Sequence, residues 1–166
     1  VDKALTFIED LVKDKGIDLK DISVLTAYSA NLILIKKATK KKFSSLATLP
    51  EATTVEGHQG HEKPIIVAIM GTAHPRPGPG FTTDQRRLCV MLTRQKAALI
   101  IFGDFNVGGP YNDDGSTKKS KGGKGKETKF KVETVTGEEA FIDGRKLQGV
   151  HRELLLAKRV AGLGSE

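Results

Sequence analysis

A single cysteine, Cys89, excludes an internal disulfide. A lone thiol suits a reducing compartment better than a stapled secreted fold. No apolar run approaches the ~18 residues that a membrane-spanning helix needs. The first residues, Val1-Asp-Lys-Ala-Leu5, lack a signal-peptide layout. An intracellular protein, cytoplasmic or nuclear, with no membrane partner, is therefore expected. No Gly-x-x-x-x-Gly-Lys-[Ser/Thr] stretch occurs, so the chain has no phosphate-cradling loop of its own. Gly122-Gly-Lys-Gly-Lys126 is a poor imitation, with no apolar strand before it and no Ser/Thr in register after it. No Asp-Glu pair closes a buried strand to hold Mg²⁺. The chain opens inside a helical pattern without a methionine, and a fragment of a longer protein is expected.

The 166 residues, 38% apolar and 28% charged, suit one globular domain with an appendage. Such a chain can bury a core without staples. The net charge of +7 is concentrated. Lys36, Lys37, Lys40, Lys41 and Lys42 form one cluster, and Lys118, Lys119, Lys121, Lys124, Lys126, Lys129 and Lys131 a second. Such clusters attract phosphate backbones without reading sequence, although a solvated helix end and a solvated tail explain them equally simply.

Hydrophobic spacing predicts a helix over 2–15, with Leu5, Ile8, Leu11 and Val12 on one face and Gly16 as the stop. Ile22–Thr26 reads as a β-branched strand. Ser29 is the expected cap of a helix carrying Leu32, Ile33 and Ile35 and ending in the first lysine cluster. Thr53–Val55 reads as a short strand leading into a Gly57–Gly60 turn. The run 65–70, apolar throughout, fits a parallel-sheet strand covered on both faces. Pro75–Gly80 is a loop. A helix from Thr82 or Thr83 to about residue 95 and a strand over 98–102 follow. Strands alternating with helices imply a parallel, doubly wound sheet. Residues 108–126, rich in Gly, Lys and Ser, read as a mobile linker. A strand over 130–136, a turn near Gly137 and a helix over 145–160 close the chain. Leu147, Val150, Leu154, Ala157 and Ala161 are its expected apolar stripe, packed against the main domain.

Two segments carry the chemistry. One is Thr54-Val-Glu-Gly-His-Gln-Gly-His-Glu62, just before the apolar strand. The other is Arg86-Arg-Leu-Cys-Val-Met-Leu-Thr-Arg94. Cations are disfavoured at a helix start, so Arg86 and Arg87 there suggest a tertiary carboxylate or phosphate partner. His58 and His61, with no third ligand in view, are a weak metal signal, and no metal is expected. Cys89, with no partnered base, reads as a buried packing group.

The pair of segments resembles motifs V and VI of superfamily-one helicases of the Upf1-like group, with a looser likeness to helicase-like proteins of fungi. Thr26-Ala-Tyr-Ser-Ala-Asn31 resembles motif IV, with Ala27 in place of proline and Asn31 in place of glutamine. Cys89-Val-Met91 stands where Asn-Val-Ala is common. The likeness covers residues 22–104. It implies an α/β fold: a RecA-like, P-loop NTPase-type doubly wound parallel sheet flanked by helices, without its own Walker A loop and with a C-terminal extension. It divides the chain into a second RecA-like domain over 1–107, a Gly/Lys-rich linker over 108–129 and an extension over 130–166.

The resemblance also implies roles. Arg94, after Thr93, is the expected arginine finger, and Arg87 its support on the nucleotide side. An arginine donated from a second domain supplies charge stabilisation at the γ-phosphate, and its planar fork and permanent charge suit the task. Glu62 would meet the ribose, and Gln59 would couple nucleotide to nucleic acid. Gly60 would let the backbone approach closely. Tyr28 would either stack near adenine or fill the core. Thr54, Lys36 and Lys37 are expected near nucleic acid, a single strand of RNA or DNA. ATP with Mg²⁺ would bind mainly on an absent first RecA-like domain, the partner of this one, and nothing would bind this fragment tightly. On this reading the segment alone does not hydrolyse ATP. Two other readings stay open: an inactive helicase-like scaffold binding nucleic acid or protein, and a basic interaction domain whose lysine tail does the binding.

Overall fold

A computed structural model describes residues 1–73, 78–108, 129–133 and 139–162. The chain divides into two compact units. The first comprises Val1–Gly71 and Arg86–Gly103, and the second Thr72–Gln85 and Asp104–Glu166.

In the first unit, helix α1 (Asp2–Lys15) buries Ala4, Leu5 and Ile8. It stops at Gly16, whose φ of 64° is left-handed and whose N–H bonds the Val12 carbonyl. Strand β1 (Ile22–Thr26) is buried along its whole length. Helix α2 (Ser29–Lys41) starts where expected, but Ser29 is its first helical residue and the flanking residue is Tyr28, which makes no side-chain cap. The local bonding comes from Thr26 instead. Its hydroxyl accepts from the Tyr28 N–H at 3.4 Å and from Asn31 Nδ2 at 3.0 Å.

The remaining strands are β2 (Thr53–Thr54), β3 (Lys63–Ile69) and β4 (Gln95–Phe102). With β1 they form one parallel sheet in the order β2-β1-β3-β4. β3 is central, and Ile66, Val67 and Ala68 are fully buried, as the unbroken apolar run predicts. Ile22 and Val24 of β1 and Ile65, Val67 and Ile69 of β3 share a core with α1, with Ile35 of α2 and with Phe43 and Leu46. β1 connects toward one edge of the sheet and β3 toward the other. Right-handed crossovers then place α3 (Gln85–Leu92) on the face opposite α2. This is a doubly wound α/β arrangement.

α3 is shorter than expected. Thr82 and Thr83 belong to a 3-10 turn over Gly80–Thr83, their hydroxyls donating to the Pro79 and Gly80 carbonyls. α3 buries Leu88 and Met91. Cys89, expected to be buried, is exposed. The helix turns about 100° per residue, which carries position 89 off the buried Leu88–Met91 stripe.

In the second unit, β5 (Lys129–Glu133) and β6 (Glu139–Asp143) form an antiparallel pair. β6 was not foreseen. Helix α4 (Arg145–Leu156) contacts the Gly80–Thr83 turn and the Phe105–Gly108 turn. Leu147 and His151 are its buried residues. Ala157 and Ala161, expected on its stripe, lie past its end and are exposed. Lys158, at φ 54°, marks the break. The ring of His151 stacks on Phe105 at 4.7 Å, and Gln148 Nε2 donates to the Gly108 carbonyl at 2.8 Å. The expected turn at Gly137, most of the 108–126 linker, positions 75–77 of the loop and the expected strand beyond Glu133 lie outside the described residues.

Gly71 has φ +67°, and a Cβ there would lie 2.2 Å from Asn31 Nδ2. A left-handed L-residue costs ~1–2 kcal/mol before any clash. Gly71→Ala should therefore lower the thermal midpoint of the first unit by at least that much free energy. Asn31→Gly in the same chain should recover only the steric part. Equal midpoints for wild type and Gly71→Ala would refute this.

Burial pushes the His151 pKa down to about 4, against a weaker upward pull from the Phe105 backbone bond and Asp104. The unfolded chain takes up this proton first, near pH 6.5. The contribution is therefore complete above pH 6.5 and is lost as pH falls toward 4, about 3 kcal/mol in all. Amide exchange in α4 should accelerate across that window in the wild type and not in His151→Leu.

Candidate functional site

The Thr54–Glu62 segment runs from the end of the edge strand β2 to the start of β3. The Thr54 hydroxyl accepts from the Gly57 N–H at 3.2 Å, and the His58 N–H reaches the Thr54 carbonyl at 3.1 Å. These bonds fold the chain back on itself. Gly60 takes φ +82°, which favours glycine there. Gln59, Gly60 and Glu62 are exposed.

α3 lies against this turn at two points. Near its start, Arg87 Nε pairs with Glu56 Oε1 at 2.6 Å. That carboxylate is the tertiary partner that a cation at a helix start requires. Past its end, the Lys63 N–H donates to the Arg94 carbonyl at 3.1 Å. Arg94 lies two residues past the end of α3, so Arg87 near the start of the helix and the Arg94 backbone beyond its end both touch the turn.

Arg94 is half-buried. One guanidinium nitrogen, Nη2, donates to Thr93 Oγ1 at 2.9 Å, and Thr93 Oγ1 donates to the Cys89 carbonyl at 2.7 Å. Arg94 Nε is buried and has no hydrogen-bond partner among the described residues. Such an atom costs ~1–3 kcal/mol unless something pairs it. Glu62 lies 4.0 Å from Lys96, a loose surface pair.

His58 is only 5% exposed, and its Nδ1 lies 3.2 Å from Thr53 Oγ1. Its pKa is lowered, first by burial and then by the positive charges of His61, Arg94 and Lys63. The ring is therefore neutral at pH 7. The His61 ring lies 5.8 Å away, tilted. Among the described residues no three of His, Cys, Asp and Glu gather as a metal site.

The other expected site residues lie apart from this group. Tyr28 follows β1 at the carboxyl edge of the sheet, packed with Asn31 against Gly71. Glu62 and Arg94 stand at the opposite edge, where β3 and β4 begin. β3 has seven residues, so the edges are ~20 Å apart. Thr54 and Lys36 share a groove of about 920 Å³ between α2 and β2, lined mainly by Leu32, Ile33, Leu49 and Ala52. Lys36 there pairs with Glu51 at 3.1 Å. Lys37 is exposed and does not line the groove. The lysines at 118–126 lie outside the described residues.

Glu56, His58, Asn31 and Gly71 gain importance that their spacing did not announce. Arg87 at a helix start was the one available signal for Glu56. No helix among the described residues is long and apolar enough to cross a membrane.

Comparison with known proteins fits this geometry. The AAA domain family profile matches residues 1–106. The DNA polymerase alpha-associated DNA helicase A of Schizosaccharomyces pombe is 34% identical over 94 residues, which is 57% of this chain and 14% of that protein. The helicase sen1 of the same yeast is 37% identical over 52% of this chain and 5% of its own length. The Drosophila melanogaster homolog of regulator of nonsense transcripts 1 is 36% identical over 55% of this chain and 8% of its own. The chain thus spans only a small part of each relative. The matched region, the parallel sheet and the paired turn and helix place this chain in the AAA domain family, as a helicase domain of the superfamily-one, Upf1-like kind.

Proposed function

We propose that this chain is the second RecA-like half of an ATP-dependent nucleic-acid motor, supplying an arginine finger to a nucleotide held mainly by a first half outside this sequence. The reading is carried by Arg94, placed beside the 55–62 turn with a buried donor unpaired. Phosphoryl transfer needs positioned positive charge more than covalent help from the protein, and a finger of this kind is worth ~10³–10⁵ in rate. Arg94 is assigned that role. Arg87 is spoken for by Glu56 and serves as the strut that seats α3 on the turn.

Glu62 and Gln59, exposed on the turn, are assigned the ribose and the coupling to nucleic acid. Gly60 allows the backbone to approach closely. Tyr28, at the carboxyl edge of the sheet about 20 Å from Arg94, lies beyond the reach of a nucleotide seated on that arginine and is assigned to packing, the other expectation for it. Mg²⁺ would be held with the phosphates by the first half. Single-stranded RNA or DNA is the proposed track, with Thr54, Lys36 and Lys37 on its phosphates. Closing and opening of the two halves would move the strand past them. The domain limits proposed remain 1–107, 108–129 and 130–166, with the isolated segment inactive.

In the longer parent protein, Arg94→Ala should cut ATP turnover by about 10³-fold or more while ATP still binds. Unchanged turnover would refute the motor and favour an inactive scaffold. Lys36→Ala and Lys37→Ala should each lower the salt slope of single-strand binding by ~0.7. Titration of a labelled oligonucleotide from 50 to 200 mM salt would show it, and parallel slopes for wild type and variants would remove these lysines from the track.

A further inference from the structure

Two large apolar side chains of the first unit stand in solvent among its described residues, and both belong to α2. Ile33 is 58% exposed and Leu34 52%. Ile33 lines the groove of about 920 Å³ between α2 and β2. Cavities of ~300–1,000 Å³ bury a drug-sized molecule, so this one admits several side chains. Its floor is aliphatic, with Leu32 and Ile33 on the α2 side and Leu49, Pro50 and Ala52 on the other.

The rim is basic. Ile33, Lys37 and Lys40 follow 4-3 spacing, so two lysines share the outward face of the exposed isoleucine. Lys37, Lys40 and Lys41 make no ion pair among the described residues. Lys36 is held by Glu51 at 3.1 Å, an exposed pair that exchanges readily. Glu51 shows what this rim accepts: a carboxylate presented beside an aliphatic floor.

That combination selects the occupant. Among the described residues lining the groove none is aromatic or an arginine, so a nucleobase finds no platform to stack on. A lipid surface is flat and does not enter a concavity. A second copy of this chain, at net charge +7, brings like charge to a lysine-rich helix. We propose that the groove docks an acidic amphipathic helix of a partner protein. Its apolar side chains fill the floor over Leu32, Ile33, Leu49 and Ala52, and its carboxylates meet Lys36 and Lys40. The docking goes beyond the motor reading and does not need it. One consequence does rest on that reading: Lys36 cannot serve the helix and a nucleic-acid phosphate at once, so the partner and a single strand exclude each other.

The probe is a synthetic helix with leucine at i, i+3 and i+7 and glutamate on both flanks, added to the isotope-labelled 166-residue chain. Methyl signals of Leu32, Ile33, Leu49 and Ala52 should shift together. Replacing the glutamates by lysine, or the leucines by serine, should weaken binding about tenfold or more. In the protein, Ile33→Ser and Lys40→Glu should each do the same. Both positions are exposed, so neither change threatens the fold. Floor methyls unmoved by the acidic helix, or equal binding of the acidic and basic helices, overturn the proposal. Floor methyls that shift with anionic vesicles or an oligonucleotide and not with the helix overturn it in favour of lipid or nucleic acid. A labelled oligonucleotide should leave as the acidic helix is added. Simultaneous binding overturns the exclusion, and an oligonucleotide that never binds counts against the track rather than the groove.

Discussion

One backbone hydrogen bond, from the Lys63 N–H to the Arg94 carbonyl, joins the two segments that carry the chemistry. It lies where β3 and β4 begin, so the parallel register of those strands fixes it. Lys63 stands opposite Gln95, and after one irregularity Ile65 through Ile69 pair with Ala98 through Phe102. The register cannot drift cheaply. Ile66, Val67 and Ala68 are buried on both faces of the sheet, and a slip would exchange large and small side chains in a close-packed interior. The core therefore holds Arg94 beside the turn. The glycines of the turn only let it fit there.

Buried strands were the most legible elements. The β-branched run of β1 and the unbroken apolar run of β3 stand out because both faces of each are covered. The α1 stripe and its Gly16 stop were equally plain. Polar ends were not. β4 begins at Gln95, three residues before its apolar run, because backbone pairing with β3 continues past the buried stretch. Thr82 and Thr83 resemble helix caps, but their hydroxyls bond back to Pro79 and Gly80 and hold a 3-10 turn. β6 escaped because its identity as a strand depends on pairing with β5, and single-sequence periodicity does not report a partner.

The same division runs through the candidate site. Arg87 and Arg94 were visible from the pattern around them. Their surroundings were not, because a lone Glu56 or His58 in a Gly-rich turn has no spacing that marks it. Glu56 acquires meaning only when α3 arrives, as the anion that Arg87 needs, and His58 only when the turn closes and buries its ring against Thr53. Tyr28 shows the reverse. Sequence order leaves adenine stacking and core filling equally open for it, and the length of β3 sets it at the edge of the sheet away from Arg94.

The departures from the family pattern at positions 31 and 89 weigh little against the fold. Asn31 is not an idle replacement, since Nδ2 donates to Thr26 and closes over Gly71, the residue with no side chain to obstruct it. The pair is mutually fitted: a longer side chain at 31 or any side chain at 71 would compete for the same space. Cys89 is exposed, so α3 is seated by Leu88 and Met91 on one side and by the Arg87–Glu56 pair near its start, and neither depends on the residue at 89. The Cys89 carbonyl, however, accepts from Thr93, whose hydroxyl in turn accepts from Arg94. A main-chain group is indifferent to which side chain it carries. The anchoring of Arg94 through Thr93 therefore does not depend on which side chain stands at 89.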